Sequence, residues 1–310
     1  MKKIKKIGVI IGCILLSLLL LFILNALRII LTYSFQKRHY QETIQIPGNK
    51  QNYVPQGLAY SSRENIVLQT SYNSEHKVSM LYVMDFSTSK LLKSLKLKEV
   101  DGRDNTHHVG GVATDGKTVW ITNDYLVDEY SFEEIMTTKK DSINSKRNHK
   151  LPIRGDFCYF KNDKLWIGDF YLSPFYKVPN NTPLLFQYNG VGPVEYNLPE
   201  AIYSLPKMVQ GMVITDDNHF VFTRSFSFLI ESRFEEYRDV SLKGGDVYSF
   251  KGRDIPYYHF KSSNLVKRRY LPPKAEGFFL KDGYYYILFE NSSDTNPLAF
   301  PKIKSIIKMK

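Results

Sequence analysis

Cysteine is nearly missing: the 310-residue chain has two. Cys13 lies in an apolar N-terminal run, so Cys158 stands alone in the remainder and no intrachain disulfide is open to it. That excludes a disulfide-stapled scaffold. It fits a cytoplasmic protein, or one exported by a bacterium that does without disulfides. No Gly-x-Ser-x-Gly elbow, P-loop or cysteine-based zinc cluster occurs, so those chemistries have no footing in the motifs. Acidic residues are absent from residues 1–40, which hold seven Lys or Arg. The formal charge of +11 therefore comes largely from that end, and the remainder carries 35 bases against 31 acids, a net +4. Such a remnant suits a mild attraction to anionic cell surfaces, not a nucleic-acid groove.

What is present first is an anchor. Lys2, Lys3, Lys5 and Lys6 precede an uncharged run over residues 7–27. About 20 apolar residues span a bilayer as a helix. The run is longer than a signal-peptide core, and Leu24-Asn25-Ala26-Leu27 is a poor cleavage site, so an uncleaved signal-anchor is expected. A lipoprotein reading of Ile11-Gly12-Cys13 fails, because only six residues of the uncharged run precede Cys13. Four lysines against Lys37 and Arg38 predict an N-terminus inside the cell. The expected organisation is a cytoplasmic tail (1–6), a transmembrane anchor (7–31), a stalk (32–41) and an extracytoplasmic domain (42–310).

That domain repeats. Five segments, starting at Gln56, Gly110, Asp156, Gln210 and Glu276, each run from a short turn through an apolar stretch, a polar turn and an aromatic-rich stretch. Ten residues after four of the starts stand Trp120, Trp166, Phe220 and Tyr286; the looser first repeat has Ile66. Paired strands repeating every 45–65 residues or so mark propeller blades. The expected fold is an all-β, five-bladed β-propeller, with a sixth blade inside residues 227–271 as the alternative. Residues 79–86 and 90–97 supply outer strands of blade one. Residues 125–132 are expected as the third strand of blade two, and 131–138 as a short helix with Ser131 at its N-cap. Residues 183–189 and 192–198 are read as outer strands of blade three, and 228–240 as a helical insertion in blade four. Residues 305–309 give blade five a third strand. Its fourth would come from residues 43–46, closing the ring and removing sheet edges.

In a blade the first strand starts, and the second ends, at one face around the central channel. Gln56, His108, Asp156, Gln210 and Glu276 form the first set at that mouth, and Ser71, Asp124, Asp169, Arg224 and Glu290 the second. Gly57, Gly111, Gly211 and Gly277 fill an aligned column where backbones approach closely, broken by Phe157. Gln56, His108, Asp156, Gln210, Glu276 and Arg224 are thus the candidate ligand-binding residues. Asp156, Asp169, Glu276 and Glu290 are candidate Ca²⁺ ligands, being hard oxygen donors. His108 is a candidate general base, with Glu276 beside it as the other catalytic candidate. A purely structural reading stands next to these, since polar residues at blade starts also bond to neighbouring blades. His107-His108 does not chelate one ion, because adjacent strand residues point to opposite faces. Arg154-Gly155-Asp156 spells an adhesion tripeptide but opens an inner strand. Cys158 reads as a small core residue.

Val54-Pro-Gln-Gly-Leu58, Thr70-Ser-Tyr72 and the stretch MLYVMDFSTSKLLKSLKL resemble the opening blade of glutamine cyclotransferase-type five-bladed propellers. Ala275-Glu-Gly277 is similar to blade starts of strictosidine synthase and gluconolactonase-like propellers. The chain also resembles bacterial membrane-anchored or secreted propellers bearing Pro-Gln-Gly and His-Val-Gly-Gly repeats. The first resemblance implies a catalytic Glu-Gly in blade two, where this chain has Gly110-Gly111 preceded by His108. The calcium-dependent hydrolases imply a metal ligand at Glu276. The resulting expectation is a single-pass cell-membrane protein whose propeller binds an envelope glycan, peptide or protein, without nucleic acid. A calcium-dependent hydrolase or glutaminyl cyclase-like enzyme is the alternative.

Overall fold

A computed structural model shows the protein over residues 2–75, 77–240, 246–295 and 300–310. Five antiparallel-cored sheets surround one axis, each starting with the strand nearest it. Blade one comprises Tyr53–Ser61, Ile66–Asn73, Met80–Asp85 and Leu91–Lys98. Blade two comprises Val109–Thr114, Thr118–Asn123, Leu126–Ser131 and Arg147–Lys150. Blade three begins with Phe157–Lys161, Lys164–Gly168, Leu184–Asn189 and Ala201–Ser204. Blade four has Val209–Ile214, Phe220–Arg224, Ser232–Tyr237 and Leu265–Leu271. Blade five takes Ala275–Lys281, Tyr284–Phe289 and Ser305–Met309 from one end of the chain and Gln41–Gln45 from the other. Gln41 pairs with Lys308 and Gln45 with Ser305, so the expected closure of the ring is the one observed.

The large residue of each repeat is buried between blades. Trp120 stacks on Phe160 of blade three (centroids 5.3 Å), and Trp166 meets Phe220 of blade four edge-on (5.4 Å). Tyr286 meets Phe86 of blade one (5.1 Å). Offset and edge contacts of this kind are the favourable aromatic geometries. Their repeat position is therefore a packing position. Cys158 is buried as expected, and burial pushes its thiol up to about 12.

Three local expectations are corrected. Residues 192–198 form no strand, because Gly192 (φ 76°) and Pro193 turn the chain, and Ala201–Ser204 supplies the fourth strand instead. Residues 232–237 are the third strand of blade four, not a helix: Phe234 and Tyr237 enter the core, and Arg233 and Glu236 stay part-exposed. There is no sixth blade among the described residues. The hairpin Asp246–Phe250 and Arg253–His259 extends blade three, with Ile202 beside Tyr257 in parallel. Residues 241–245 of that stretch lie outside the described residues. The short helix is Phe132–Thr137, and the Ser131 hydroxyl accepts from Glu134 N at 3.2 Å, satisfying one of its orphan donors.

The N-terminal helix runs Lys2–Gln36 and continues as a 3₁₀ turn, Lys37–His39. It is long and apolar enough to cross a membrane. Residues 6–24 are exposed throughout. From there burial becomes periodic: Asn25, Ala26, Ile29, Ile30, Thr32, Tyr33 and Gln36 are covered, while the residues between them are exposed. That spacing is one helix face lying on a surface. Tyr33 and Tyr40 join the core cluster of blades four and five around Phe234, Phe278 and Leu271.

Candidate functional site

The inner strands are stitched together before any site is built. Gly57 N donates to Thr70 Oγ1 (3.0 Å), and that hydroxyl donates to Gly110 O of the next blade (2.9 Å). Thr223 Oγ1 donates likewise to Glu276 O (2.8 Å), and Gly111 N donates to Thr122 Oγ1 (3.0 Å). Blade three departs from the pattern. Phe157 replaces the glycine, and Gly168 stands where blades one, two and four have threonine, leaving room for the Phe157 ring. The stitching holds five blade starts and five second-strand ends around one mouth.

Side chains at that mouth form two linked groups. In the first, Arg154 Nη2 lies 2.9 Å from Asp156 Oδ1 and 3.7 Å from Asp124 Oδ1. Its guanidinium is 5.5 Å from the Tyr176 ring centroid. Asp156 Oδ2 accepts from Phe170 N (2.7 Å), and Asp169 Oδ1 from Leu184 N (2.6 Å). Burial pushes both carboxyls up, Asp156 to about 6 and Asp169 to about 8, against the opposing pull of Arg154 and the backbone N–H donors. In the second group, Lys274 Nζ pairs with Glu290 Oε2 at 2.5 Å. Glu276 is buried and hydrogen-bonds Glu290; desolvation first, and the Glu290 charge second, hold its carboxyl well above the usual range. Both effects favour its protonated form. Gln210 Nε2 reaches Glu276 Oε1 at 3.4 Å, and the Tyr72 hydroxyl hydrogen-bonds Glu290.

His108 joins the groups. Its ring lies 4.1 Å from that of Tyr72 and feels Glu290, Asp124 and Arg154 electrostatically. The ring is accessible, but channel walls displace most of the bulk water around it. That desolvation holds its pKa below the ordinary imidazole value, despite the nearby carboxylates.

Of the residues singled out in the sequence, His108, Asp124, Asp156, Asp169, Gln210, Glu276 and Glu290 fall within these two groups. Arg224 turns away: its Nη1 meets Glu235 Oε2 at 2.6 Å and its Nε donates to Lys207 O. Gln56 is buried and donates to Pro55 O (2.9 Å), and Ser71 accepts from Gln69. Among the described residues no group of three or more His, Cys, Asp or Glu side chains is placed to hold a metal ion. The four carboxylates named for Ca²⁺ are divided into two pairs, Asp156 with Asp169 and Glu276 with Glu290. A cation would have to displace Arg154 from one or Lys274 from the other.

Tyr72, Arg154, Tyr176 and Lys274 were missed. A signal for two of them existed. Two residues before the repeat starts stand Val54, His108, Arg154, Met208 and Lys274, so three blades offer a base at one aligned position. Arg154 reads in sequence as part of the adhesion tripeptide, whereas in the fold it pairs with Asp156 at the start of blade three. Tyr176 lies in an irregular loop and carries no repeat signal.

The raised aspartates make a pH prediction. Between about pH 4 and 8 the folded protein holds a proton on Asp169 that the unfolded chain has lost, so this group contributes stability that disappears as pH rises. The slope is at most roughly 1.4 kcal/mol per pH unit. Asp169→Asn keeps an acceptor for Leu184 N and removes the titration. Denaturant unfolding at pH 5 and pH 8 should show a smaller stability difference in the variant; equal differences would exclude this role.

The architecture and mouth define a five-bladed propeller with a polar channel entrance. No protein-family model and no curated protein matches the chain. Among solved structures, the PQQ-bound aldose sugar dehydrogenase of Streptomyces coelicolor aligns with a TM-score of 0.51 at 13% identity, covering 87% of this chain and 96% of that one. Myxococcus xanthus glutaminyl cyclase aligns at 0.49 and 10% identity, over 87% and 95%. A luciferin-regenerating enzyme aligns at 0.46 and 10%, over 86% and 94%. At such identities the likeness is one of fold.

Proposed function

We propose that this is a membrane-anchored extracytoplasmic propeller that binds a small polar ligand, or the polar end of a larger one, at its channel mouth. The observation that carries the reading is the charge arrangement there. Buried or half-buried acids on blades three and five alternate with His108, Arg154 and Lys274 on blades two, three and five, around a shared opening. Perturbed ionisable groups gathered in one concavity are what binding and catalytic sites require. Arg154 Nε has no hydrogen-bond partner among the described residues although it is buried, which leaves a donor for a ligand. A glycan, peptide or envelope protein presenting hydroxyl, amide or carboxylate groups matches this mixture of donors and acceptors.

The test is saturable binding by the full chain in detergent, screened against cell-wall glycans, peptides and envelope extracts. Replacing Gln56, Asp156 and Glu276 together by Ala should abolish binding. Glu276→Gln alone should weaken it by about tenfold or more, the scale of one hydrogen bond to a charged or buried group. Unchanged affinity in the triple variant would sink the reading.

Acid–base catalysis is a second reading, favoured by one observation: burial beside Glu290 favours the protonated form of Glu276, while desolvation of His108 favours its neutral imidazole. A group able to donate and a group able to accept are thereby both in place. Calorimetry with Ca²⁺, together with turnover of lactones, esters and peptides starting with Gln, decides it. No turnover in either the presence or absence of Ca²⁺ would leave binding alone.

A further inference from the structure

We propose that the mouth face of the propeller rests on the bilayer, with loops of blades three and four inserted at the lipid–water boundary, so that the channel opens onto the membrane surface. This rests on the reading that the N-terminal helix spans a membrane. Helix and propeller meet at a defined level. Asn25 Nδ2 donates to Leu229 O (2.8 Å), and Arg28 Nη1 pairs with Glu231 Oε1 (2.6 Å). Leu229 and Glu231 lie in the connection between Phe220–Arg224 and Ser232–Tyr237. The first of these strands ends at the mouth, so the connection belongs to the mouth face.

The free part of the helix sets the depth. Residues 6–24 are exposed throughout, and as a helix they rise about 28 Å. A bilayer's hydrocarbon core is about 30 Å thick. The helix therefore leaves the hydrocarbon at Asn25–Arg28, the level of Leu229. From Asn25 to Gln36 it lies against the side of the propeller instead, running away from the mouth towards strand Gln41–Gln45. The propeller's mouth face is thus the one turned to the membrane.

That face carries suitable side chains. Ile230 is 59% exposed and Phe175 72% exposed. Phe175 stacks on Phe226 (6.1 Å), and Tyr176 beside it is exposed. Phe175 and Tyr176 follow the second strand of blade three and so share the mouth face with Ile230. Aromatic rings are favoured at headgroup level, and exposed Lys177 and Lys207 on adjacent loops suit the same layer. Exposed apolar residues clustered at the level where a spanning helix emerges have one evident partner, the lipid that surrounds that helix.

The test uses the full chain in liposomes of phosphatidylethanolamine and phosphatidylglycerol. Single cysteines replace Phe175, Ile230 and, at the opposite end of blade four, exposed Asp217, in a Cys13→Ser background; each carries an environment-sensitive fluorophore. A fourth sample labels native Cys13. Labels at 175 and 230 should be quenched severalfold more by lipids brominated high on the acyl chain than the label at 217, and severalfold less by aqueous iodide. Equal iodide quenching at all three sites, with Cys13 shielded, would overturn the docking and leave the anchor standing. Iodide access to Cys13 would overturn the anchor, and the docking with it.

Discussion

Gly57→Ala is expected to destabilise the propeller by roughly 3 kcal/mol or more, the upper end of what overpacking costs. A Cβ there would lie 2.6 Å from both Gly110 O and Val112 N, and 2.7 Å from Thr70 Oγ1. The first two are backbone atoms of the neighbouring blade and cannot swing aside. In a permissive site, Gly→Ala stabilises by about 0.4–1 kcal/mol through the unfolded chain. Here the clash outweighs that gain, and the hydrogen bond from Gly57 N to Thr70 is strained as well. Gly211→Ala provides an internal scale. Its nearest atoms, Glu276 O, the Gly277 Cα and Thr223 Oγ1, are 3.2 Å away, so neighbours need give only a few tenths of an ångström. Denaturant unfolding should place Gly57→Ala well below Gly211→Ala, and both below wild type. Similar losses at the two positions would contradict the view that close packing of blades one and two limits the ring.

Glu235→Ala should cost about 3–5 kcal/mol, as expected when one member of a buried ion cluster is removed. Glu235 is fully buried and receives Arg224 Nη1 (2.6 Å), Arg268 Nε (2.7 Å) and the Tyr237 hydroxyl (2.8 Å). Burial alone would raise its carboxyl. The bonds from Arg224, Tyr237 and Arg268 outweigh that and hold it below the usual value. Its contribution is therefore present above the ordinary glutamate range and lost as pH falls, the opposite sense to Asp169. Deletion leaves Arg224 charged, mostly buried and without its counter-ion. A loss under about 1 kcal/mol, the scale of an exposed pair, would show that the cluster is solvated in practice. Arg224 would then be free to turn towards the channel, and ligand affinity should be measured in the same variant.

Much of the architecture was legible because repeats carry their own register. Trp120, Trp166, Phe220 and Tyr286 share an offset since each fills the same gap between blades, and the glycine column follows from backbone contact near the axis. Even the shared fifth blade followed from counting strands. Residues 228–240 misled for a physical reason. Glu235 sits at a core-facing strand position, which breaks the apolar alternation until Arg224 and Arg268 are seen to neutralise it. Residues 246–259 misled because a hairpin that extends another blade has the same local pattern as one that starts its own. At the mouth, the acids were found from the repeat, but their partners were not. Arg154 and Lys274 lie two positions upstream, outside the aligned segments, and Tyr72 lies one position past Ser71, the residue of the second set in blade one.

The shared fifth blade also imposes an order in time. Strand Gln41–Gln45 emerges directly after the N-terminal helix, but its partner Ser305–Met309 is made roughly 260 residues later. Until then the first strand has no ladder, and the ring cannot be finished however well the other four blades have formed. Contacts so distant in sequence slow folding, and the waiting edges are open to other strands. On the reading that the N-terminal helix spans a membrane, it also fixes one end of that slow closure, keeping the early strand close to the bilayer while the rest of the chain arrives.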